Sequence, residues 1–62
     1  MFWDNVEIFR KPKNLTYRAI AKIMGTAETT VSSMRKAGTE PRVSDAIKIA
    51  DALNVEIREL VK

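Results

Sequence analysis

Residues 17–36 read YRAIAKIMGTAETTVSSMRK, and the pattern within this stretch decides the fold. Ile20, Ile23 and Met24 recur at helical spacing, with Ala19 and Ala21 small between them, which predicts a helix over Tyr17–Met24. Thr16, just before it, has a hydroxyl able to accept from an orphaned backbone N–H of the first turn. Gly25 ends the helix as a residue that takes the left-handed conformation at no steric cost. After a three-residue turn a second helix is expected over Ala27–Lys36, with Val31 and Met34 inward at i, i+3 and Gly38 closing it. Two helices on either side of so short a turn cross at a steep angle. Ala21, four positions before Gly25, supplies the small residue that such a close approach needs. Ala21, Gly25, Val31 and Met34 are therefore structural. The opposite face of the second helix carries Glu28, Thr29, Ser32, Ser33 and Lys36, which is short, polar and almost uncharged. Solvated helices ordinarily use long Glu and Lys side chains, because threonine and serine are weaker helix formers. Small hydroxyl residues on a projecting helix suit a face that must fit into a groove.

Outward from this pair, Phe2–Lys11 places Trp3 or Phe2, then Val6 and Phe9, on one helical stripe, so Trp3 and Phe9 are read as core. Asp4 and Glu7 near its start and Arg10, Lys11 and Lys13 near its end match the helix dipole. Pro12 disfavours the α conformation at Lys11 and is expected to stop the helix there. Asn14 and Leu15 form a short connection. On the other side, Gly38 and Pro41 mark Thr39–Val43 as a loop. Ser44 is expected to cap a fourth helix, Asp45–Leu53, with Asn54 as the left-handed residue after it. A short fifth helix is expected near Glu56–Val61, with Ile57, Leu60 and Val61 on one face. No segment shows strand alternation. The expectation is one all-α domain over residues 1–62, five short helices around one core.

Composition narrows the function classes. The 62 residues contain no cysteine and no histidine. Disulfides, thiolate metal sites and the commonest general base and metal ligand are thus missing. No paired carboxylates or phosphate loop stand out, so neither catalysis, a cofactor, a metal nor a small-molecule substrate is expected. The apolar runs are far shorter than the ~20 residues that span a bilayer, and a cytoplasmic location is expected. Charge is uneven. Arg10, Lys11, Lys13, Arg18, Lys22, Arg35, Lys36 and Arg42 face only Glu28 and Glu40 within residues 10–42. The ends carry Asp4, Glu7, Asp45, Asp51, Glu56 and Glu59, the last four read as a solvated surface. A basic middle between acidic ends is the footprint expected for a polyanion, although on charge alone a solvated surface accounts for it equally well.

The ordered set Leu15-Thr16, Ile20-Ala21, Met24-Gly25, Thr29-Thr30-Val31-Ser32, Gly38-Thr39-Glu40-Pro41-Arg42 and Ile49-Ala50-Asp51-Ala52-Leu53-Asn54-Val55 resembles the Cro and phage-repressor-type, or XRE-like, helix-turn-helix family. The resemblance runs from Phe2 to Val61. It implies a compact five-helix, lambda-repressor-like DNA-binding domain, with the helix-turn-helix formed by the second and third helices and the third lying in the major groove. The family's base-contacting positions fall on Ala27, Glu28, Thr29 and Ser33, with Thr30 close by. Glu28 suits cytosine N4, the threonine hydroxyls and methyls suit a base edge and thymine, and Ala27 suits a thymine methyl. Glu28 is equally an ordinary first-turn acid favoured by the helix dipole. Phosphate contacts are implied at Thr16, Tyr17, Lys36, Thr39 and Arg42, all able to donate.

The chain departs from the family pattern in places. Tyr17 stands where a glutamine-like residue is usual, and Ala27 where a serine or threonine cap is usual. Either Thr26 caps the third helix or that helix starts uncapped. Arg35 stands where an acid often pairs with an arginine of the first helix, yet Arg10 is present. Either both cations turn to phosphate or one finds another acid such as Glu7. Without Arg, Asn or Gln at base-reading positions, specificity would either be modest or lean on water and DNA shape. The resemblance further implies a transcriptional regulator, a repressor by preference, on a palindromic double-stranded operator with half-sites ~34 Å apart. It implies a weak homodimer strengthened on DNA, with contacts at the fifth helix and the loop before the fourth. The alternative is the same fold used as a protein-interaction module or antitoxin-like partner. Cations on both flanks of the third helix argue against that.

Overall fold

A computed structural model describes residues 1–62 and contains helices and turns but no strand. Five α-helices follow one another: α1 (Phe2–Arg10), α2 (Tyr17–Met24), α3 (Glu28–Ala37), α4 (Val43–Leu53) and α5 (Ile57–Val61). A 3-10 turn over Lys11–Lys13 joins α1 to α2. On α4, Ala46, Ile49, Ala50 and Leu53 recur at i, i+3, i+4 and i+7 and all four are buried. This stripe makes α4 the floor of the core, on which α2 and α5 pack, while α1 lies against α5 and α3 against α2. Phe2, Val6, Ile20, Val31, Ile49, Leu53 and Leu60 are the fully enclosed side chains. Each contributes about 1.5–3 kcal/mol by leaving water. Phe9 and Met34 only flank this cluster, being half-buried.

Three helix ends stop as their residues dictate. Gly25 (φ 73°), Gly38 (φ 71°) and Asn54 (φ 58°) all take the left-handed conformation, and each donates its N–H back to the last turn. The regular helix α1 ends at Arg10, at the expected boundary, but Lys11 itself stays helical (φ −59°, ψ −53°) despite preceding Pro12. The chain tightens instead of breaking: Asn14 N donates to Lys11 O at 3.1 Å and Leu15 N to Arg10 O at 3.1 Å. Pro12 sits at the start of the turn, where its missing N–H costs nothing, and Asn14 (φ 56°) ends it.

The start of α4 is also corrected. Ser44 is not its cap; the helix begins two residues earlier, at Val43, with Arg42 as the flanking extended residue. Ala46 N donates to Arg42 O at 2.9 Å, closing the first turn two residues before a Ser44 cap would. This places Asp45 in the first turn, buried rather than solvated, with Arg42 Nη2 3.6 Å from its carboxylate. The partial positive charge of the helix start favours an acid there. On α5, Leu60 is enclosed, Ile57 is half-buried and Val61 is 52 % exposed. Asn5 Nδ2 of α1 donates to the carbonyls of Leu60 (3.0 Å) and Lys62 (3.1 Å), acceptors that a helix end would otherwise leave to water.

Candidate nucleic-acid interface

The second and third helices are joined as the spacing requires. Thr16 is extended (ψ 159°) and its Oγ1 accepts from Ala19 N at 3.1 Å, which starts α2. Gly25 turns the chain, Thr26 N donates back to Ala21 O at 3.0 Å, and Ala27 is extended (ψ 151°) before α3 begins at Glu28. No side chain caps α3, so of the two starts left open by the sequence the uncapped one is found. Ala21 and Val31 are buried on the facing sides of the pair.

With Val31 inward, the outer face of α3 and the turn before it is open to solvent. Ala27, Glu28, Thr29, Thr30, Ser33 and Lys36 are all exposed, and Ser32 is half-buried. None of Glu28, Thr29, Thr30 or Ser33 forms a side-chain hydrogen bond or ion pair within the protein. The five candidate base-contacting residues are thus all exposed, and the four with polar side chains have their hydrogen-bonding capacity unspent.

The flanking donors are less uniform. Thr16 is exposed, and although its oxygen accepts from Ala19 its proton is still available. Lys36 is exposed and unpaired. Thr39 is exposed too, with its carbonyl accepting from Trp3 Nε1 at 2.8 Å. That bond ties the loop after α3 to the core and makes Trp3 a brace as well as a core residue. Arg42 is 83 % exposed, tethered only loosely by Asp45.

Tyr17 departs from its expected role. Its hydroxyl donates to Glu7 Oε1 at 2.6 Å, so the proton expected to reach a phosphate is committed within the protein. The ring carries two guanidiniums: Arg10 Cζ lies 4.3 Å from its centroid and Arg35 Cζ 3.6 Å. Trp3 meets the same ring edge-on at 6.3 Å. Arg10 also forms a two-pronged bond to Glu7, Nε to Oε1 at 2.8 Å and Nη2 to Oε2 at 3.1 Å, and donates to Leu15 O at 3.4 Å. Of the two fates the sequence left open for these cations, Arg10 takes the one in which it finds Glu7. Arg35 takes neither: it finds an aromatic face. The only sequence signal for this was an aromatic residue in place of the usual glutamine-like one, which offers a cation a π face instead of an amide.

These contacts reset three ionisation equilibria. Hydrogen bonds from Arg10 first, and from Tyr17 second, hold the Glu7 carboxyl down at about 2. Burial first, and the bond to Glu7 second, push the Tyr17 phenol above its ordinary value, so it stays a donor throughout the neutral range. The hydrogen bond that Arg10 donates to Glu7 likewise raises Arg10.

A family model described as helix-turn-helix, of the Cro/XRE type, matches residues 6–60. No curated protein and no solved structure matches the chain.

Proposed function

The chain belongs to the Cro/XRE-type helix-turn-helix family of DNA-binding domains, and from that premise we propose that it is a transcriptional repressor reading a specific duplex site with α3 in the major groove. The observation that carries the reading is the open face of Ala27, Glu28, Thr29, Thr30 and Ser33, flanked by exposed donors at Thr16, Lys36, Thr39 and Arg42. The face supplies single hydrogen bonds and methyl contacts to base edges, and the flanks supply phosphate contacts that fix register. Tyr17 is left out of the phosphate set because Glu7 holds its proton. The operator is a palindrome bound by two copies, each weakly self-associating until DNA aligns them. Exposed apolar side chains at Val43 and Ile47 on α4 and at Val61 on α5 support such a contact.

Selection from a randomised duplex library at two salt concentrations tests this. A palindrome with half-sites one helical turn apart is expected to be enriched. If Lys36 and Arg42 of each copy neutralise one phosphate apiece, log K falls with log salt at a slope of about −4. Sedimentation should show monomer at micromolar concentration without the duplex and two copies per duplex with it. Salt-sensitive binding without enrichment would reduce the function to nonspecific binding. No binding at low salt would overturn the DNA reading and favour a protein-interaction role.

A further inference from the structure

The anchoring of α3 is thin for a helix that must present short side chains at a fixed distance. It puts one residue, Val31, wholly into the core, with Met34 half-buried, and its first turn lacks a side-chain cap. Threonine and serine reach only a few ångströms, and a hydrogen bond to a base edge tolerates donor–acceptor distances of roughly 2.7–3.2 Å. Small shifts of α3 therefore cost base contacts directly. At the far end of the same helix Arg35, like Arg18, has no carboxylate partner, whereas the arginines at positions 10, 42 and 58 each have one. What it has is the Tyr17 ring, 3.6 Å away. That ring is itself held on three sides: its hydroxyl by Glu7, its face by Arg10 and its edge by Trp3. Glu7 and Trp3 belong to α1 and Tyr17 opens α2, so the cluster links α3 to two other helices at once.

We infer that Arg35 is a positioning residue: its guanidinium, laid on the Tyr17 ring, sets the seat of α3 and so the base preference of the domain, and it does not grip a phosphate. A planar guanidinium can stack where an ammonium cannot, so arginine is required at this position for shape and not for charge alone. This inference rests on the DNA-binding reading.

The test uses the duplex enriched from the library. In the free protein, proton NMR should show the Arg35 side-chain protons displaced upfield by the Tyr17 ring current, and the displacement should persist in the complex. Their return to ordinary positions on adding duplex would mean that the guanidinium leaves the ring for a phosphate, which overturns the inference. Affinity is measured in parallel for Arg35→Gln, Tyr17→Leu and the double variant, each checked by circular dichroism to be folded at the assay temperature. Each single change should weaken binding by roughly two- to thirty-fold, the range of a guanidinium–aromatic contact. The double variant should bind no worse than the weaker single, because both changes remove one contact. The salt slope should hold constant, whereas losing a phosphate contact in both bound copies would reduce its magnitude by about 1.8. Should Arg35→Gln unfold the chain, Arg35→Lys decides. It binds weakly if stacking matters and like the wild type if only charge does, the latter result overturning the inference. If the unmodified protein binds no duplex, the DNA reading falls and this inference with it. If it binds and Arg35→Gln binds equally well with the same preference, the inference alone falls.

Discussion

Glu7 is the acid on which Arg10, Lys11 and Tyr17 converge, at 2.8, 3.3 and 2.6 Å. Its carboxyl is lowered from 4.5 to about 2, chiefly by the Arg10 hydrogen bonds. A depressed carboxyl contributes stability that is complete above its unfolded-state value and is lost as pH falls through the folded one. The window is therefore about pH 4.5 down to 2. With a third of the side chain in water, the size of the effect is cut by screening. Glu7→Gln should accordingly lower Tm at neutral pH and fall less steeply on acidification, the two curves converging near pH 2. Thermal unfolding followed by circular dichroism at several pH values checks this; parallel curves would mean that another acid governs the acid limb. The Arg10–Glu7 pair was one of two outcomes the chain left open, but the Tyr17 bond to Glu7 could not be read from it. A tyrosine at a helix start displays its hydroxyl in sequence, but only the packing of α1 against α2 decides whether it points at solvent or at an acid ten residues earlier. Asp45 was hidden for a similar reason, because its burial follows from where α4 starts.

Elements whose ends depend on local chemistry were legible, and those that depend on tertiary context were not. Thr16, Gly25, Gly38 and Asn54 act through their own side chain or their own φ, so α2, the end of α3 and the end of α4 fell where the residues said. Ser44 looked like a cap, but the first turn closed two residues further back, with Arg42 extended there (ψ 155°). Helix α3 offers a test of how these local terms trade against function. Its flanking residue Ala27 already has the extended backbone of a capping position and lacks only the oxygen. Ala27→Ser should therefore stabilise the fold by about 1 kcal/mol. The same residue belongs to the proposed base-contacting patch, where a serine hydroxyl replaces a methyl. Tm should rise while affinity for the selected duplex falls, measured by thermal unfolding and titration of one variant. A rise in both would remove Ala27 from the contact set and leave its alanine without a functional reason.

At the scale of the molecule, 12 of 62 residues are buried, and that number limits how much any single loss can be absorbed. A chain of this length has a net stability of roughly 3–9 kcal/mol. Phe2, second in the chain, is 1 % exposed and packs edge-on against Trp3 at 5.0 Å, closing the core beneath α1. Truncating it to alanine removes about 3–5 kcal/mol, comparable with the whole. Ile8, on the same helix but 64 % exposed, gives a matched control whose truncation should change stability by less than about 0.5 kcal/mol. Phe2→Ala should therefore lose most of its helical dichroism at 25 °C, whereas Ile8→Ala should keep it. Because DNA binds only the folded chain, duplex at a hundredfold excess over its Kd returns about 2.7 kcal/mol. Adding the selected duplex should then refold much of Phe2→Ala, with the helical signal recovering in proportion to duplex concentration. Recovery with the selected duplex but not with a scrambled one would show that folding and site recognition share one equilibrium. A Phe2→Ala protein as stable as Ile8→Ala would mean that α1 does not close the core, and the braces it sends to Thr39, Leu60 and Tyr17 would lose their foundation.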